Sequence, residues 1–229
     1  MRDAHDGARR PAPKDAVRGR PWRARLAPGA AALALLGAGC AALHDRAPVP
    51  APGEGEWAEL RNGATRRAQL YDRLDHRATA TATYLAPAVR DARAKRLGEW
   101  LSWTPEELAA RLATERAEAG QYDEFLISFY TANSRENDLD SRSSIWRVAL
   151  ELDEGELLPQ KIVAVDADAT LVNLFPFVGA FDTVYLVRFP HPSGGPLAGR
   201  LFAMEIASAL GQLALDFRVP DGPDQPAPP

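Results

Sequence analysis

Four groups of residues in this sequence have types and spacings suited to chemistry. His76 has Asp72 and Asp75 within four positions, the parts of a carboxylate-supported general base. Asn137-Asp138-Leu139-Asp140 and Asp166-Ala167-Asp168 gather the hard oxygen ligands that Ca²⁺ takes. His191 opens the Pro/Gly turn His191-Pro192-Ser193-Gly194-Gly195-Pro196. Cys40, the only cysteine in 229 residues, ends a long uncharged run.

Plainer readings compete with the first three. Neither acidic group has the regular oxygen positions, central glycine and terminal glutamate of an EF-hand loop. Asx-rich turns account for both. The two histidines are far apart in sequence and read as strand-end and turn residues. Motifs for a nucleophile elbow, a zinc-binding His pair, a phosphate-cradling loop and a dinucleotide fold are all missing. A glycosidase needs only two carboxylates, which need not be near in sequence. The expectation is therefore no catalytic, cofactor-binding or metal-binding residue. An envelope hydrolase using acidic residues is one alternative, and a carrier of an apolar ligand is another.

Cys40 has a fuller context. Residues 1–39 hold eight Lys/Arg against three Asp. Leu26–Gly39 follows the basic stretch as 14 residues of only Leu, Ala, Gly and one Pro. That is too short to span a bilayer core, which needs roughly 20 apolar residues. It fits the apolar region of a secretory signal. A compact basic region also begins at Val17, and a translation start near there is expected. The run closes in Leu36-Gly37-Ala38-Gly39-Cys40, which resembles the lipobox of bacterial lipoproteins, with Gly37 where Leu is commonest. The resemblance implies cleavage after Gly39 and acylation of Cys40, giving a membrane anchor through N-terminal acyl chains. Ala41-Ala42 replaces the Asp that marks inner-membrane retention in that family, so the outer membrane, periplasmic side, is the implied location. The rest of the chain resembles only uncharacterised lipoproteins of GC-rich Gram-negative bacteria, and in composition alone.

Charge supports this division. The whole chain carries −4, but removing residues 1–39 leaves about −9. No basic surface remains to drive nucleic-acid binding, and no nucleic-acid partner is expected. One cysteine also excludes a disulfide framework and a Cys-cluster metal site.

The expected organisation is a signal peptide at 1–39, a lipidated N-terminus with a Pro/Ala tether at 40–56, one α+β domain at 57–220 and a disordered tail at 221–229. Within the domain, Trp57, Leu60, Ala64, Ala68 and Tyr71 recur at helical spacing, interrupted by Gly63. Residues 76–85 alternate Ala with Thr and predict a strand. Pro87 starts a helix to about Trp100, with Arg90, Arg93, Lys95 and Arg96 expected mainly outward. Thr104, Pro105 and Glu107 spell a capping box for a helix that Gly120 stops. From 121 onward, alternation predicts strands around Phe125–Phe129, Ser144–Leu152, Ile162–Val165, Asp182–Phe189, Arg200–Ser208 and Leu213–Phe217. Their spacing suggests an antiparallel β-sandwich or half-barrel of about six to eight strands, with two or three helices in the N-terminal part. Leu174–Phe181 is too apolar for a solvent loop and is expected to plug the core beneath the sheet. Its alternative is a ligand-pocket wall or partner-binding patch. A lipid-anchored, partner-binding or structural module of the cell envelope is the function these readings imply.

Overall fold

Period-two alternation governs most of the chain in the computed structural model, which describes residues 55–218. Cys40, the leader, the tether up to residue 54 and the 221–229 tail lie outside the described residues, while Glu56, expected to end the tether, already belongs to the first helix. Among the described residues nine strands form two antiparallel sheets, and four α-helices accompany them. The α+β antiparallel expectation holds, with one strand and one helix more than the upper counts.

The first sheet contains β1 (Thr65–Asp72), β2 (Asp75–Tyr84), β3 (Tyr122–Thr131), β6 (Lys161–Val165) and β7 (Thr183–Pro190), in the order β1-β2-β3-β7-β6. The second contains β4 (Arg147–Leu152), β5 (Gly155–Leu157), β8 (Ala203–Ser208) and β9 (Gly211–Asp216), in the order β5-β4-β8-β9. Their facing sides make the main core. Ala78, Ala80 and Ala82 of β2 and Phe125, Ile127 and Phe129 of β3 meet Val148, Leu150, Met204, Ile206, Leu213 and Leu215. Tyr84, Phe125, Phe202 and Phe217 fill one end with stacked and edge-on rings. β1 and β9 close one side of the sandwich. Arg66 donates from Nε to the Asp216 carbonyl at 2.9 Å, and its guanidinium lies over the Phe217 ring.

The outer face of the five-stranded sheet carries the helices. α1 is Glu56–Gly63, α2 is Pro87–Leu101, α3 is Pro105–Ala119 and α4 is Ala169–Leu174. Trp57, Leu85, Val89 and Ala92 pack with Leu126, Val184, Leu174 and Phe175 in a second core. Trp57 Nε1 and Arg61 Nη1 both donate to the Leu174 carbonyl, at 3.2 and 2.9 Å. They satisfy an orphan acceptor at the end of α4.

Three expectations need correction. The helical spacing from Trp57 to Tyr71 breaks at Gly63, and Ala68 and Tyr71 belong to β1. There Arg66, Ala68 and Leu70 turn inward while Arg67 and Gln69 stay exposed, which is a strand pattern. The residues Asp153-Glu154-Gly155-Glu156 read as a four-residue turn cluster, but the turn is shorter, because β5 begins at Gly155. The outward basic face of α2 fails at two positions, since Arg90 is 1% exposed and Arg96 6% exposed. Buried carboxylates hold Arg90, whereas Arg96 lies over the Trp100 ring and pairs with Glu99.

Candidate functional cleft

α3 exposes most of its residues and buries one, Glu115. Its start is as the sequence spells it. The Thr104 hydroxyl accepts from Glu107 N at 3.2 Å, and Glu107 Oε2 accepts from Thr104 N at 2.8 Å. Its attachment is ionic. Arg90 Nη1 of α2 donates to Glu115 Oε2 at 3.1 Å, Arg93 Nη2 to Glu115 Oε1 at 3.0 Å and Arg111 Nη2 to Glu115 Oε1 at 2.6 Å. Arg90 Nη2 also faces Glu124 Oε2 of β3 at 3.0 Å, and Arg188 Nε of β7 donates to Glu124 Oε1 at 2.6 Å. Arg188 stacks over Tyr122, with 4.4 Å between guanidinium carbon and ring centre. The network joins two helices to two strands. Burial acts to raise the Glu115 carboxyl pKa, but Arg93, Arg111 and the hydrogen bonds from Arg90 and Arg93 outweigh it. The carboxyl is held below its ordinary value.

Beside this network a cleft of about 370 Å³ opens between α2, α3 and α4 over the sheet. Leu97, Leu126, Leu171, Leu174, Phe175 and Leu186 supply its apolar surface. Arg93, Arg111 and Arg188 line it with Glu118, Glu124, Asp166 and Asp168. Donors and acceptors of both signs therefore surround apolar ground, and among the described residues no serine or histidine lines it.

The other candidates sit elsewhere. His76 lies between the rings of Tyr71 and Tyr130 and bonds to Thr79 Oγ1 at 2.7 Å. Asp72 and Asp75 pair with Arg77, so the carboxylate support does not form. His191 Nδ1 meets Asp123 Oδ2 at 2.9 Å, and the Tyr84 hydroxyl donates to Asp123 Oδ1 at 2.6 Å. Asn137 accepts from Tyr185, and Asp138 accepts from Ser144. Asp168 caps α4, accepting from Leu171 N at 2.7 Å, and β6 ends at Val165, so Asp166 and Asp168 do not share a strand face. Among the described residues no group of three or more His, Cys, Asp or Glu could hold a metal ion. Glu205 lies beside Glu151 on the second sheet, and partial burial first, then its interaction with Glu151, raise the Glu205 pKa.

Leu174–Phe181 divides in two. Leu174, Phe175 and Val178 are buried over the outer face of the sheet, and Phe181 is 85% exposed. Comparison of the chain with protein-family models, curated proteins and solved structures finds no match. The site residues that sequence reasoning missed are Arg90, Arg111, Glu115, Glu124 and Arg188. One signal was present, because Asp123-Glu124 opens a strand whose next residues are Phe125-Leu126-Ile127. Carboxylates at the head of an otherwise buried strand need cationic partners.

Proposed function

We propose that this chain is a lipid-anchored module of the cell envelope, tethered through acylated Cys40 on the periplasmic side, whose cleft docks a short segment of a protein partner. The cleft's mixed lining carries this reading. A peptide offers side chains to Leu97, Leu171 and Phe175, carbonyls to the arginines and N–H groups to the carboxylates, whereas a purely apolar ligand leaves the charged walls unused. The space between the sheets is filled by side chains, which supports docking over carriage of an apolar ligand.

Anchoring and docking are tested separately. Cys40→Ser should lose labelling by a palmitate analogue and release the protein from membranes. A processed, membrane-bound Cys40→Ser protein overturns the anchor. For docking, a photo-crosslinking residue at exposed Thr170 in the cleft should capture one partner in intact envelopes, and Leu171→Arg should abolish that capture. The same probe at exposed Ala113 of α3 should not capture it. Equal capture at both positions, or capture indifferent to Leu171→Arg, removes the cleft from the function.

A further inference from the structure

The strand edges of this protein are unequally protected. β1 and β9 cover one another through Arg66 and Asp216. β5 is three residues long and carries Glu156, paired with Arg147. β6 is five residues long, pairs with β7 on one side and has no strand on its other side among the described residues. Its sequence is Lys161-Ile162-Val163-Ala164-Val165, with no proline, no glycine and one charge at its start. Val163 is 37% exposed. Natural edges are usually blunted by charge, proline or a bulge, and an apolar open edge is a template for pairing.

We propose that β6 is a self-association edge, and that two copies of this chain pair β6 to β6, antiparallel, about a two-fold axis through Val163. The chain is self-complementary in that register. Lys161 lies opposite Val165, Ile162 opposite Ala164, and Val163 opposite itself. Lys161 stands at one end of the strand and Asp166 just beyond the other, and neither has an ion-pair partner among the described residues. The two-fold operation brings each lysine beside the other copy's Asp166. A parallel pairing in register sets lysine beside lysine instead. Such an interface is isologous and closes at two copies. One strand pair buries less than a standard stable interface, so the dimer depends on concentration.

The test uses the full chain carrying Cys40→Ser, so that any introduced thiol is the only one. Val163→Cys should form a disulfide-linked dimer under mild oxidation, because the axis places residue 163 against itself. Lys161→Cys and Val165→Cys should crosslink with each other when mixed, and much less each alone. By sedimentation, Val163→Lys should raise the dimer dissociation constant about tenfold or more, since it sets like charges directly opposite. Its melting temperature should stay near the parent's. A monomer at every concentration with no crosslink through residue 163, or a dimer indifferent to Val163→Lys, overturns the proposal. Capture of another protein's strand by a monomeric chain overturns it equally.

Discussion

Arg90 and Glu115 meet at 3.1 Å with each side chain 1% exposed, and this pair fastens α3 to the rest of the protein. Apolar contact does little of that work, since Leu108 and Leu112 are only half-buried. A buried charge pair is strongly destabilising when broken from one side, because the remaining charge is left without its counterion. Glu115→Gln should therefore cost about 3 kcal/mol, the low end of the range for such breaks, as Glu124 still faces Arg90. Urea unfolding checks this. Loss below about 1 kcal/mol would mean that solvent already screens the network.

The same carboxyl gives the fold an acid limit. Glu115 has a folded pKa below its ordinary 4.5. A lowered carboxylate contributes stability in full above its unfolded pKa and loses it as pH falls through the folded value. Stability should hold at neutral pH and decline below about pH 4.5, with α3 released early. Hydrogen exchange across residues 105–119 between pH 7 and pH 3 checks the order of events. In Glu115→Gln that contribution to the acid dependence should be absent.

Gly211 opens β9 at φ +137°, and a Cβ there would stand 2.7 Å from Leu70 Cδ1 of β1. The leucine tip can move, but the backbone angle remains unfavourable for any other residue. Gly211→Ala should cost about 1–3 kcal/mol, and adding Leu70→Ala should not recover it. Recovery in the double variant would assign the cost to the clash alone. Thermal unfolding of both variants distinguishes the two causes.

Local signals in the sequence and long-range pairing account for different parts of this structure. Thr104, Pro105 and Glu107 act within one helical turn, so the start of α3 was readable from those residues alone. β3, β7 and β8 alternate strongly enough to show their inward faces. β1 was hidden because the same apolar residues fit a helix until Gly63 stops it, and its strand state depends on β2 beside it. Arg90 was misread for a related reason. Its carboxylate partners lie 25, 28 and 34 positions away, and no local pattern announces them. The cleft is built from such distant pairs, which is why its residues were the least legible.

Tyr84 and Asp123 carry the last prediction, at the alkaline end. The Tyr84 hydroxyl donates to Asp123 Oδ1, while His191 and the Leu197 N–H share the same carboxylate. Burial first, then the hydrogen bond and charge of Asp123, push the Tyr84 pKa far above its ordinary value of 10.0. A raised pKa means that the folded chain keeps a proton which the unfolded chain releases. The stability Tyr84 contributes is complete below pH 10 and falls as pH rises through the folded value. Wild type and Tyr84→Phe should show the same phenolate absorbance change up to about pH 11, because Tyr84 stays neutral while folded. Tyr84→Phe should lose about 1–3 kcal/mol at pH 7, the cost of depriving a buried acceptor of one donor. A wild-type absorbance change larger by one tyrosine below pH 11 would show that the Asp123 bond does not hold the proton.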